Sequence, residues 1–107
     1  MQMSDFATKK LLETAGQSEH LTAREKHLIG LAVTATRGCI ACTGGRLQKA
    51  LDAGVPYETI VAGIDLAAAV NAGTTVAIAT QGAERNGIAK PESVCVDEAC
   101  VAGLPRS

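Results

Sequence analysis

Read for its alternation of apolar and polar positions, the chain separates into four stretches with helical spacing and a final segment with none. Phe6, Leu11 and Leu12 share the first stretch, where Ser4 or Asp5 is placed to cap a helix that Gly16 would end. Gln17-Ser18-Glu19-His20 is a polar connector, which makes His20 a solvated loop residue. Thr22-Ala23-Arg24-Glu25 has capping-box spacing, so the second helix is predicted to start at Ala23 and run to Thr36. That spacing commits Glu25 to the Thr22 amide and makes it a poor catalytic candidate. Leu28, Ile29, Leu31, Ala32, Val33 and Ala35 surround most of this helix and predict its burial. Its polar arc holds His27, Thr34 and Arg37, with Gly30.

Gly38 ends this element or turns the chain into a third helix, expected from Ile40 to Ala53 with Gly54 just beyond its end. Gly44 and Gly45 inside that helix each cost about 1 kcal/mol relative to Ala, which predicts that a neighbouring helix, or else a substrate, packs closely over the thiols. Val55-Pro56-Tyr57-Glu58 opens the fourth helix, with Pro at the first helical position. From Thr59 to Ala83 the sole formally charged residue is Asp65, as in a membrane span. Asn71, Gly73, Thr74, Thr75, Thr80 and Gln81 interrupt the stretch, and it lacks flanking basic or aromatic anchors. The expectation is therefore a helix buried between subunits, with Asp65 at the rim of that interface or paired with Arg46. Glu84-Arg85-Asn86-Gly87 ends it, and from Ile88 a tail with Pro91, Cys95, Cys100 and Pro105 has no clear period. The organisation predicted is one helical domain, residues 1–87, and a tail, residues 88–107.

Composition narrows this to an all-α class. The apolar residues are Ala, Val, Ile and Leu, with one Phe, one Tyr and no Trp, and no period-2 alternation marks a strand. A net charge of −1 and almost no aromatic surface argue against a nucleic-acid partner. The N-terminus has neither the basic nor the apolar region of a signal peptide, and the expected location is the cytoplasm. In that reducing compartment Cys-x-x-Cys is more often redox-active or metal-binding than structural.

The candidate chemistry lies in Thr36-Arg37-Gly38-Cys39-Ile40-Ala41-Cys42-Thr43-Gly44-Gly45-Arg46. Two thiols in the first turn of a helix lie near unsatisfied N–H groups that favour a thiolate, and one turn brings the sulfurs close enough to bond. Taken alone, this makes Cys39 the nucleophile and Cys42 the residue that resolves it. With Cys39 at zero on a helical wheel, Cys42 falls at about 300° and Arg46 at about 340°, on one stripe. A guanidinium there would stabilise a thiolate and could orient an anionic group, but it does not exchange protons near neutral pH.

The run EKHLIGLAVTATRGCIACTGGRLQKALDAG followed by VPYETIVAGIDLAAAVNAG resembles the carboxymuconolactone decarboxylase family, and within it the alkylhydroperoxidase (AhpD-like) branch. The likeness covers roughly residues 21–87 and rests on the helix pattern and the placement of Cys-x-x-Cys. It implies an all-α fold assembling into a homo-oligomer, a trimer or hexamer, with disulfide-reductase or peroxidase activity and a peroxiredoxin or dithiol electron donor. It further implies that Cys42 meets the peroxide and Cys39 resolves it, inverting the order read from the helix end. The branch assists proton transfer with a glutamate twelve positions before the first cysteine and a histidine four after the second. Here those positions are His27 and Arg46, so His27 becomes the candidate base and Arg46 the thiolate stabiliser. No cofactor and no membrane are implied. The decarboxylase branch needs no cysteine pair, and two retained thiols point away from it.

Two other readings compete with this oxidoreductase. One is a binding module in which Cys39 and Cys42, with His27 or with Cys95 and Cys100, hold zinc or another soft metal. The other is an inactive structural member whose cysteines are small apolar residues.

Overall fold

The computed structural model describes residues 1–92, and every regular element among them is helical. A short 3-10 turn, Met3–Asp5, precedes α1 (Ala7–Gly16), and α2 spans Ala23–Thr36, α3 Ile40–Asp52 and α4 Tyr57–Arg85. The predicted tail residues Cys95, Cys100 and Pro105 lie outside the described residues. Contacts divide the chain into two units, one ending at Gly73 and the other beginning at Thr74.

Local chemistry sets most element ends. Thr22 and Glu25 form both halves of the predicted capping box, with Thr22 Oγ1 accepting from the Glu25 amide at 3.1 Å and the Thr22 amide donating to Glu25 Oε1 at 2.8 Å. The α1 start departs from expectation. Asp5 accepts from the Gln2 amide at 2.8 Å inside the 3-10 turn, which leaves Phe6 at the N-cap of α1 without a side-chain bond. At α4 the Pro56 carbonyl accepts from the Thr59 and Ile60 amides, each at 3.1 Å, so Pro56 caps the helix and Tyr57 opens it.

Helices α2 and α3 stop in the same way. The amides of Gly38 and Cys39 donate to the carbonyls of Ala35 and Thr34, each at 3.1 Å, and those of Gly54 and Val55 to Leu51 and Ala50, each at 3.0 Å. Gly38 and Gly54 have φ of 79° and 86°, a left-handed conformation that a Cβ disfavours. The second of these motifs delivers Val55 directly into the core.

That core is a junction of three helices. Leu31 of α2, Ala50 of α3, Val55 of the connecting turn and Ile60 of α4 are 1%, 0%, 8% and 3% exposed, with Leu47 and Ile64 packed beside them. The first half of α4 meets α2 at two further points. Gly63 lies against Leu28, where a Cβ would come within 3.0 Å of Cδ2, and Asn71 Nδ2 donates to Thr36 Oγ1 at 2.8 Å.

Burial of α2 is much less complete than its apolar circumference predicts. Leu31 is its one fully buried residue, while Ile29 and Val33 stay about half exposed, because α3 and α4 cover only part of the helix. No residue of α1 is buried, and Leu66 and Val70 on α4 are exposed. Among the described residues α4 is the one helix long and apolar enough to cross a membrane, and hardly any of it is buried in its own chain. Asp65 is exposed.

In the second unit, the Thr80 hydroxyl donates back to the Val76 and Ala77 carbonyls at 3.0 and 2.9 Å. The helix ends as α2 and α3 do, with the Ile88 amide on the Ala83 carbonyl at 2.9 Å.

Candidate active site

The two cysteines sit where α2 hands over to α3. Gly38 closes the end of α2, and the same turn leaves Cys39 extended, with φ −85° and ψ 98°, as the N-cap of α3. Its carbonyl accepts the first helical bond from the Thr43 amide at 3.0 Å, and its sulfur accepts from the Cys42 amide at 3.3 Å. The sulfur thus takes the place that a Ser or Asp oxygen usually fills at a helix start. Cys39 and Cys42 are joined as a disulfide across a Cα separation of 5.3 Å. Cys39 is half-buried and Cys42 exposed.

A pair of threonines ties this turn to α2. The Thr43 hydroxyl lies 2.7 Å from the Cys39 carbonyl and 3.2 Å from Thr34 Oγ1, and Thr34 in turn donates to the Gly30 carbonyl at 3.0 Å. One face of the disulfide turn opens on a cleft of about 380 Å³ between Ala35, Gly38, Cys39, Thr43, Gly44 and Leu47. Among the described residues, and apart from the backbone of their own helix, no atom comes within 4 Å of where a Cβ on Gly44 or Gly45 would stand. The close neighbour that their helix cost predicts is therefore not among the described helices of this subunit.

Arg46 lies one turn further along α3 and is half-buried. Its side chain crosses to α2 and lies in a notch at Gly30, where any Cβ would overlap the guanidinium. No hydrogen bond or ion pair engages that guanidinium among the described residues. Thr34 faces Thr43 and Gly30 faces Arg46, so the two helices run antiparallel in a fixed register. The register sets His27, half-buried on the same stripe of α2, beyond Arg46 and about 10 Å along the axis from Thr34. Arg46 accordingly occupies the level between the thiols and His27. Sequence reasoning grouped His27, Gly30 and Thr34 on one arc but missed that Gly30 is the seat of Arg46. A glycine in the middle of a well-capped helix was the available signal.

Glu25 is spent elsewhere. The backbone N–H of Thr22, and then its hydroxyl partnership, hold the Glu25 carboxyl below its ordinary range. Among the described residues no three His, Cys, Asp or Glu side chains come together as a metal site.

The arrangement is an all-helical scaffold presenting a Cys-x-x-Cys disulfide at a helix N-terminus, with a cation and an imidazole on the adjoining stripe. The model of the carboxymuconolactone decarboxylase family matches residues 7–90, and the chain belongs to that family. Comparison with curated proteins and with solved structures finds no match.

Proposed function

We propose that this protein is a thiol–disulfide oxidoreductase of the alkylhydroperoxidase type, cycling Cys39 and Cys42 between dithiol and disulfide to reduce a peroxide or a partner's disulfide. The observation that carries the reading is the asymmetry of the pair. Cys42 is exposed, while the sulfur of Cys39 caps α3 and accepts the Cys42 amide.

That asymmetry reconciles the two orders of attack. A helix N-terminus favours a negative sulfur by about 0.3–1 kcal/mol at a partly exposed site, which makes Cys39 the better leaving and resolving thiolate. Cys42, reachable from solvent, attacks the peroxide oxygen. The O–O bond breaks, the leaving alkoxide takes a proton and Cys42 becomes a sulfenic acid. The Cys39 thiolate then attacks Cys42 Sγ, and hydroxide leaves and is protonated to water as the disulfide closes. A dithiol donor or a peroxiredoxin partner returns the two electrons by exchange at Cys42. In this scheme Arg46 holds negative charge beside the sulfurs. His27 supplies or removes protons through solvent on the far side of the guanidinium.

The same reading makes the working form a homo-oligomer, a trimer or hexamer, in the cytoplasm. It is supported by the apolar residues of α1, α2 and α4 that one chain leaves uncovered.

The test is mass spectrometry of thiols after stoichiometric hydrogen peroxide. Wild type is expected to form the Cys39–Cys42 disulfide rapidly. Cys39→Ser should stall with a trappable sulfenic acid on Cys42, and Cys42→Ser should lose the selective oxidation. Slow, unselective oxidation of a metal-free protein defeats the peroxidase reading, and about one bound metal per site moves the case to a binding module.

A further inference from the structure

Arg46 is a half-buried guanidinium seated on the Gly30 backbone with no acceptor among the described residues. Its fork carries five N–H donors, none engaged by a described residue, and is available to an anion. The carboxylates on the neighbouring elements do not supply one. Glu25 is held by Thr22, Asp52 accepts from Gln48 at 2.9 Å, and Asp65 is exposed on α4. The glycine at position 30 fixes where the fork lies, against α2 and at the level just below the disulfide. Residues four apart on a helix have Cβ atoms about 5–6 Å from each other, so an anion on Arg46 stands within a small molecule's length of Cys42 Sγ.

We propose that Arg46 is a specificity-determining residue that receives the carboxylate of a small acidic disulfide while Cys42 exchanges with its sulfur. The proposal rests on the oxidoreductase reading and adds a substrate class to it. The reduced Cys42 thiolate attacks one sulfur of the substrate disulfide. The substrate S–S bond breaks, and the departing thiolate takes a proton from solvent. The Cys39 thiolate then attacks Cys42 Sγ, expelling the second substrate thiolate and closing the Cys39–Cys42 disulfide. Two electrons pass from the protein to the substrate, and no further oxidant or reductant is involved. A planar fork matches a carboxylate in two parallel hydrogen bonds, which a lysine at this position does not reproduce.

The experiment reacts the reduced full-length protein with two disulfides of similar size, 5,5′-dithiobis(2-nitrobenzoate), which bears carboxylates, and neutral 4,4′-dithiodipyridine. Rates are measured for wild type, Arg46→Gln, Arg46→Lys and Gly30→Ala. An effect of Arg46 on the Cys42 thiolate alone changes both probes together, so the ratio of the two rates isolates anion recognition. The expected result is a fall of about tenfold or more in the carboxylate-to-neutral ratio for Arg46→Gln, a partial fall for Arg46→Lys and Gly30→Ala, and erosion of the wild-type ratio by salt. Equal slowing of both probes, or no change in either, overturns the proposal. Gly30→Ala leaves the charge in place and moves only its seat, so it tests the idea even if Arg46→Gln folds poorly. Mass spectra of the products keep the two levels apart. Adducts on Cys42 with no internal disulfide defeat the oxidoreductase reading, whatever the ratio shows.

Discussion

The amide of Cys39 donates to the carbonyl of Thr34 at 3.1 Å, so the residue that completes the end of α2 is also the one whose sulfur starts α3. This shared role makes the geometry of the thiol pair depend on Gly38, which holds φ of 79° between the two helices. Replacing it by alanine forces a side chain into the left-handed region, at about 1–2 kcal/mol. Gly38→Ala is therefore expected to lower stability by that amount in chemical denaturation. It should also slow disulfide closure after oxidation more than Gly54→Ala, which meets a similar backbone penalty away from the thiols. Equal closure rates in the two variants would separate the α2 end from the chemistry.

Gly30 leads to the opposite combination. A glycine inside a helix costs about 1 kcal/mol relative to alanine, and the atoms that a Cβ would meet are the far end of a flexible arginine. Gly30→Ala should leave stability unchanged or raise it by up to about 1 kcal/mol, because Arg46 swings away. Peroxide reduction should nonetheless fall, since the cation no longer lies at its level between the thiols and His27. A melting temperature compared with a peroxide assay on the same sample checks both halves. A variant that is stabler and fully active would show that the notch serves packing alone.

The Glu25 carboxyl, held low by Thr22, carries a pH dependence whose sign is fixed. A group with a depressed folded pKa contributes stability above its unfolded value, near 4.5, and loses it as pH falls through the lower folded value. Thermal melts of wild type should therefore show a loss from this site beginning below about pH 5. Glu25→Gln keeps a capping-box acceptor but does not titrate, so its difference from wild type should shrink as the solution is acidified. A difference that stays constant across that range would mean the carboxylate charge adds nothing to the cap.

What could be read from the chain was what neighbours in sequence decide. The Thr22–Glu25 box, the glycine ends at Gly38 and Gly54 and the span of α2 follow from residues within five positions of one another. The α1 cap was misread because Asp5, a good cap by type, is taken by Gln2 one turn earlier. Burial of α2 was misread for a different reason. Its apolar circumference predicts cover on most sides, whereas the helices packed on it bury Leu31 and leave Val33 exposed. At the site, the stripe shared by Cys42 and Arg46 was legible because both lie on α3. The seat of Arg46 on Gly30 was not, since it depends on the register between two helices and no single-helix period encodes that.

Gly44 and Gly45 give a prediction in which two adjacent residues part company. Neither meets another described residue at the Cβ position, so alanine at either should stabilise α3 by up to about 1 kcal/mol in denaturation. Gly44 also lines the cleft beside Cys39, whereas Gly45, about 100° further round the helix, does not. A methyl group at position 44 narrows the approach to the disulfide turn. Gly44→Ala is therefore expected to slow alkylation of reduced Cys39 by a bulky maleimide several-fold while leaving that of Cys42, which does not line the cleft, nearly unaffected. Gly45→Ala should leave both rates alone. If Gly45→Ala instead destabilises the protein or weakens its self-association in sedimentation, then a second subunit lies over that side of α3. The glycine is then retained for that approach, against a helix cost that nothing among the described residues offsets.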